Sequence, residues 1–232
     1  MDQDKLVIVI PSYNEADRIL KVVTDIQRKG YRKIVVVDDG STDNSMEGIK
    51  DLNVIILQHL VNRGAGAATE TGLKYCRTIL DAETVVMIDA DTQHNVDDIR
   101  KLVEAHENQN ADITIGNRFL ENKKNIPAKR WFYNQIANIV TSIFAGKRVY
   151  DSQSGFKVFN KKALQKIIIE QDRFEHCSEI LIKGLENNLK IIEVPIKVYY
   201  TPETIAKGQH FLNGVRTFVH LLHSVLFKNK QK

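Results

Sequence analysis

The chain has 232 residues, 43% of them hydrophobic and 27% charged, with a net charge of +4. That length supports a sizeable core in one large domain or two small ones. The mild basicity suits an anionic ligand or membrane surface, and no basic run with interleaved aromatics points to nucleic acid.

In chain order, residues 6–10 form an apolar run of the kind buried on both faces of a sheet, ended by Pro11-Ser-Tyr-Asn-Glu15. Residues 15–28 then repeat Ile19, Leu20, Val23 and Ile26 at helical spacing up to Gly30. A second run, 34–37, ends in Asp38-Asp39-Gly-Ser-Thr-Asp43, a turn that doubles as a helix start. A third, 54–57, leads through Asn62-Arg63-Gly64 to small residues that open a helix, and a fourth, 85–88, runs into Asp89-Ala-Asp91-Thr-Gln93-His94. The fifth, 113–115, ends in Gly116-Asn-Arg118. Beyond it the pattern predicts a helix over 126–146, a polar loop 151–156 and a short strand 157–159. A helix over 177–188 follows, then a partly alternating segment 191–200 and a final amphipathic helix over 208–227. Apolar runs alternating with helices predict an α/β chain with a single doubly wound, mostly parallel sheet flanked by helices. Nearly every strand ends in polar or glycine-rich residues, which gathers the chemistry at one sheet edge.

Several residues there carry chemistry. Asp89 and Asp91, at alternate positions, face the same way if the strand continues, and with Gln93 can share one hard cation. An acidic turn is the plainer alternative. Asp38 and Asp39 can accept from a base or ribose, or cap their own turn. Gly64-Ala-Gly-Ala-Ala-Thr69 is a weak match to a dinucleotide fingerprint, because its third position is Thr and about six residues separate it from the strand. It reads either as the cofactor loop of an oxidoreductase or as small residues that permit close packing. The Arg118 fork suits a diphosphate. Glu179 is a possible base beside His176 and Cys177, and His210 reaches the site only if the tail folds back. Cys76 and Cys177 match no metal or redox spacing and read as reduced thiols of a cytoplasmic protein. The polar amino terminus does not read as a signal peptide, and no stretch approaches a membrane span.

Taken together, Pro11-Ser-Tyr-Asn-Glu15, Val37-Asp-Asp-Gly-Ser41, Asp89-Ala-Asp-Thr-Gln-His94, Gly116-Asn-Arg118 and Asp151-Ser-Gln-Ser-Gly-Phe156 occur in a familiar order. Over roughly residues 5–200 the chain resembles family 2 glycosyltransferases, and within them the dolichyl- or polyprenyl-phosphate mannose or glucose synthases. The resemblance implies a GT-A nucleotide-diphospho-sugar transferase fold, a UDP- or GDP-hexose donor, Mg²⁺ or Mn²⁺, and inversion at the anomeric carbon. It implies a single domain with a nucleotide-sugar half (1–116), an acceptor-side half (117–210) and a C-terminal amphipathic helix and basic tail (211–232). Pro11, Tyr13, Glu15 and Asp38 would line the nucleotide pocket and Asp39 read the base. Asp89 and Asp91 would hold the ribose side and the metal-bound diphosphate, with Gln93 a further metal ligand. Arg118 would handle phosphate near the acceptor, and Ser154-Gly155 belong to the acceptor-side loop.

The implied acceptor is a polyprenyl phosphate. A saccharide hydroxyl in cell-envelope glycan assembly is the alternative, for which Asp151 or Glu179 would be the base. A catalytically silent nucleotide-sugar-binding module is a third possibility. The family's Arg and Ser-Lys tail is replaced by Ala206-Lys207-Gly-Gln-His210-Phe211, so Lys207 and His210 stand as substitutes, and the carboxyl-terminal spans of many members are absent. Residues 126–146 and 211–227 have apolar stripes with basic flanks. They suit peripheral attachment at the cytosolic face of a membrane or docking on a separate membrane partner.

Overall fold

A computed structural model describes residues 5–120, 126, 128–173 and 175–199. The strands are β1 (Leu6–Ser12), β2 (Ile34–Asp38), β3 (Ile55–Gln58), β4 (Thr84–Met87), β5 (Ile113–Asn117), β6 (Lys157–Asn160) and β7 (Ile191–Pro195). The helices are α1 (Ala16–Arg28), α2 (Ala65–Thr78), α3 (Asp98–Asn108), α4 (Ala128–Ala145), α5 (Lys161–Lys166) and α6 (His176–Glu186). The strands form one sheet in the order β3-β2-β1-β4-β6-β5-β7. Only β6 runs against the rest, antiparallel to both β4 and β5.

Strand periodicity divides the core. On β1, Leu6, Ile8 and Ile10 face one layer while Val7 and Val9 face the other. The first layer is closed by Ile19, Val23 and Ile26 of α1 and by Ile99, Leu102 and Val103 of α3. The second is closed by Leu73 of α2, Leu164 of α5, and Ile180 and Leu181 of α6. Helices on both faces make the sheet doubly wound, as the alternation of runs and helices predicts. Gly72 permits this closeness on the α2 side, since a Cβ there would overlap Val9 on β1.

One expected element differs. Beyond Asp43 the chain makes only a 3₁₀ turn, Glu47–Ile49. The side chains meant to start a helix there serve α1 instead: Ser41 Oγ accepts from Asn14 N–H, Ser45 Oγ from Glu15 N–H and Asp43 Oδ2 from Ala16 N–H. Loop 41–45 therefore caps the amides at the start of its neighbour. The expected helix over 208–227, with Lys207 and His210 before or within it, lies outside the described residues.

Candidate active site

The carboxyl ends of β1, β2, β3, β4 and β5 and the amino end of the reversed β6 share one sheet edge. That edge therefore gathers Pro11 to Glu15, Asp38 to Asp43, His59 to Gly64, Asp89 to His94, Asn117 to Leu120 and Asp151 to Phe156. Reversal of β6 is what brings the last of these loops beside the third-from-last. Five of the sequence motifs, far apart in the chain, become neighbours.

On the β1–β3 side, Tyr13 is half exposed and Pro11 partly so. Glu15 pairs with Arg18. Asp38 is fully buried: its Oδ1 accepts from Ser41 N–H at 3.1 Å and its Oδ2 from the Gln58 amide at 2.9 Å. Asp39 is equally engaged. Its Oδ1 accepts from Arg63 N–H (3.0 Å) and the His59 ring (2.7 Å), and its Oδ2 from Gly64 N–H (2.6 Å). The His59 ring bonds onward to Thr71 of α2 at 2.9 Å. These two acids thus build the walls, and Asp39 does so by clamping loop 59–64.

The Gly64 segment does not cradle a cofactor. A Cβ at Gly64 or Gly66 would overlap the backbone carbonyls of Asp172 or Gln171, and Ala67 N–H at the start of α2 donates to Asp172 O. The small residues allow close packing of segment 171–173, and the Gly64 and Ala67 amides that would face a phosphate are already engaged, by Asp39 and Asp172.

At the end of β4, Asp91 accepts from the backbone N–H and side-chain amide of Gln93. Asp89 Oδ2 accepts from His94 Nε2 at 3.3 Å. Burial pushes the Asp89 carboxyl up, but the His94 hydrogen bond and the positive charge of Lys157 outweigh it, and the group is held below the usual carboxylate range. Among the described residues no three His, Cys, Asp or Glu side chains form a closed cluster. The donor set is nevertheless all hard oxygen, two carboxylates and one amide, which fits Mg²⁺ or Mn²⁺ with remaining positions left to diphosphate and water.

Beyond β5, Arg118 and Asp151 form a complete fork. Nε and Nη2 donate to Oδ2 and Oδ1 at 2.8 and 2.6 Å, and the Arg118 backbone N–H adds a third bond to Oδ2. Asp151 is fully buried. Burial raises the carboxyl of nearby Glu193 above its usual range despite bonds from Tyr150 N–H and Asn117. Glu179 does not join this group. Its two oxygens accept from Glu170 and Gln171 N–H and its carboxylate pairs with Lys183, so it braces the 168–172 segment instead of facing the strand ends.

Two features escaped the sequence reading. Lys157 is fully buried at the start of β6, where its Nζ donates to Ser154 O and tethers the 151–156 loop. The clue was a lysine inside an otherwise apolar strand. His176 Nε2 also lies 3.5 Å from Cys177 Sγ. Burial raises that thiol, but His176 and Lys157 pull it down to about 7, whereas burial pushes Cys76 up to about 12.

Beside the Arg118–Asp151 pair an open groove of about 730 Å³ lies between α4 and residues 146–150. Its walls include Leu120, Trp131, Ile139, Ile143, Lys147 and Arg148. α4 shows apolar side chains to solvent, with Phe132 56%, Ile139 60% and Ile143 72% exposed. No helix among the described residues is long and apolar enough to cross a membrane.

A doubly wound sheet with an acidic pair at its polar edge puts the site where open α/β sheets bind their ligands, and comparison with known proteins gives the class. Residues 7–168 match glycosyl transferase family 2, and the chain belongs to that family. It is 38% identical to a UDP-N-acetylglucosamine–dolichyl-phosphate N-acetylglucosaminyltransferase of Methanococcus voltae, over 94% of this chain and 96% of that protein. It is 32% identical to the dolichol-phosphate mannosyltransferase of Pyrococcus furiosus, over 94% of this chain and 62% of that one. Among solved structures, glucosyl-3-phosphoglycerate synthase of Mycobacterium tuberculosis superposes with a TM-score of 0.69 at 17% identity, covering 93% of this chain and 79% of that one. The fold is therefore GT-A, the chain is a glycosyltransferase, and the oxidoreductase alternative falls.

Proposed function

We propose that this chain is a metal-dependent inverting glycosyltransferase that moves a hexosyl group from a UDP- or GDP-sugar to a polyprenyl phosphate at the cytosolic face of a membrane. The observation that carries the choice of acceptor is the engagement of both candidate bases. Asp151 is locked to Arg118, and Glu179 to backbone amides and Lys183. A sugar hydroxyl must lose a proton as it attacks, so it needs a free base. A lipid phosphate is already anionic and does not. The dolichyl-phosphate substrates named for the two relatives support the same reading.

In this reaction an acceptor phosphate oxygen forms a bond to the anomeric carbon from the face opposite the diphosphate. The bond from that carbon to the diphosphate breaks, and the nucleoside diphosphate leaves with the electron pair. A divalent cation held by Asp89, Asp91 and Gln93 would supply charge neutralisation for the leaving group. Tyr13, Pro11 and Glu15 would flank the nucleotide, with Asp38 and Asp39 holding the loops around it. Arg118, kept rigid by Asp151, would turn the outer edge of its guanidinium toward the phosphates, donating hydrogen bonds to them. The α4 groove and exposed apolar face would receive the isoprenoid chain and lie against the bilayer, with Lys147 and Arg148 toward anionic headgroups.

UDP-N-acetylglucosamine is the first donor to test, because the Methanococcus relative named for it matches over nearly its full length. Labelled UDP-GlcNAc, UDP-Glc and GDP-Man are incubated with polyprenyl phosphate and Mn²⁺, and the organic phase is counted. Label from at least one donor is expected there, falling roughly 1000-fold in Asp91→Ala, about 4 kcal/mol of transition-state stabilisation. Label that stays in water with every donor, or that passes to a saccharide acceptor, would overturn the proposal.

A further inference from the structure

Asp89 is held from two directions by residues that no catalytic step uses. From its own loop, His94 reaches back to Asp89 Oδ2 at 3.3 Å. A carboxylate only accepts, so the ring must carry its proton on Nε2. The other nitrogen, Nδ1, is buried without a hydrogen-bond partner. No second polar bond therefore orients this ring. Packing does: its centroid lies 5.2 Å from that of Phe156, tilted by 56°. The backbone adds a tie, an antiparallel bridge between His94 and Val198 in which Tyr199 N–H donates to Gln93 O at 2.9 Å. From the opposite loop, Gly155 lies against the Asp89 carboxylate so closely that any Cβ would overlap both oxygens. Consecutive residues of one loop, Gly155 and Phe156, thus touch Asp89 and the ring that holds it.

We propose that His94 and Gly155 are positioning residues for Asp89, fixing the carboxylate for the cation and coupling the 151–156 loop on the acceptor side to donor binding. This rests on the reading of Asp89 and Asp91 as cation ligands. Physically, a ligand carboxylate that already has one orientation loses little freedom when the ion arrives, and residues that impose that orientation change metal affinity without touching the metal. Glycine is required because the loop has to reach the carboxylate with no side chain between them. The coupling follows from the shared contact: a loop displaced by the acceptor moves Phe156 and Gly155 together, and with them the ring and the carboxylate.

The test is Mn²⁺ affinity in the presence of UDP, read from the free-ion electron paramagnetic resonance signal, with thermal unfolding as the control for folding. His94→Leu removes the donor, while His94→Gln places an amide N–H near the position of Nε2. His94→Leu is expected to weaken Mn²⁺ about 10- to 100-fold and His94→Gln less than about threefold. Gly155→Ala is expected to match His94→Leu. If His94→Leu or Gly155→Ala does not fold, His94→Asn, whose shorter amide cannot reach Oδ2, replaces it against His94→Gln with the same expectation. Equal Mn²⁺ affinity in wild type and His94→Leu, or equal losses in the Leu (or Asn) and Gln variants, would overturn the inference while leaving the cation reading intact. A wild-type protein that binds no Mn²⁺ with UDP would overturn both.

Discussion

The two ends of the sheet are built on different principles. On the β3-β2-β1-β4 side every pairing is parallel, and the polar residues arrive at the site simply by ending a strand. On the β6-β5-β7 side the direction reverses at β6, and the site is assembled by an ion pair with a fully buried carboxylate and by a buried lysine that ties back its own loop. The β3-β2-β1-β4 side is thus a strand-end architecture of the kind open α/β sheets share. The β6-β5-β7 side depends on a few polar side-chain contacts that close its loops.

That contrast predicts that the β6-β5-β7 side breaks first. Removing Arg118 strands a fully buried Asp151 carboxylate, so Arg118→Met is expected to lower stability by about 3 to 5 kcal/mol. Adding Asp151→Leu should restore most of it, because the unpaired charge, and not the lost attraction, causes the damage. Denaturant titration of both variants checks this. A small effect in the single variant, or no recovery in the double, would mean that the pair is not the keystone of that side.

The same contrast explains what was legible in the sequence. β1, β2, β4 and β5 could be read from apolar runs ending in polar loops, and Asp89-Ala-Asp91 sits where such a run predicts it. The order of five motifs carried the family. By contrast, the reversal of β6 was not legible, since its partners β4 and β5 lie about 70 and 40 residues upstream and no tight turn links it to either. Likewise Asp39 and Glu179 look like free acids in a linear reading. Only the fold shows their oxygens engaged by amides from loop 59–64 and segment 170–171. The Cys177–His176 contact was visible as adjacency but not as chemistry, because Lys157, whose charge joins that of His176 in lowering the thiol, comes from β6.

At the seam between the sides, His106 of α3 is buried with Nδ1 bonded to Thr114 of β5 at 2.8 Å. Burial holds its imidazole down at about 4, so the unfolded chain binds a proton that the folded chain refuses between about 6.5 and 4. Stability from this group is complete above the ordinary histidine value and is lost as pH falls through that window, by up to roughly 3 kcal/mol. His106→Leu should flatten the fall in stability between pH 7 and 4, measured by thermal melts. An unchanged slope would place the acid sensitivity elsewhere.

The smallest expected effect bears most directly on the central claim, that one edge takes the sugar nucleotide while the α4 groove takes the lipid. Ile139→Gln combined with Ile143→Gln alters only exposed groove residues. The division of labour predicts a KM for polyprenyl phosphate raised about tenfold, the ~1.4 kcal/mol expected from losing two partial aliphatic contacts. The affinity for donor should stay within about a factor of two of wild type. An unchanged KM for the lipid, or a loss of donor binding as large as that of lipid binding, would contradict it.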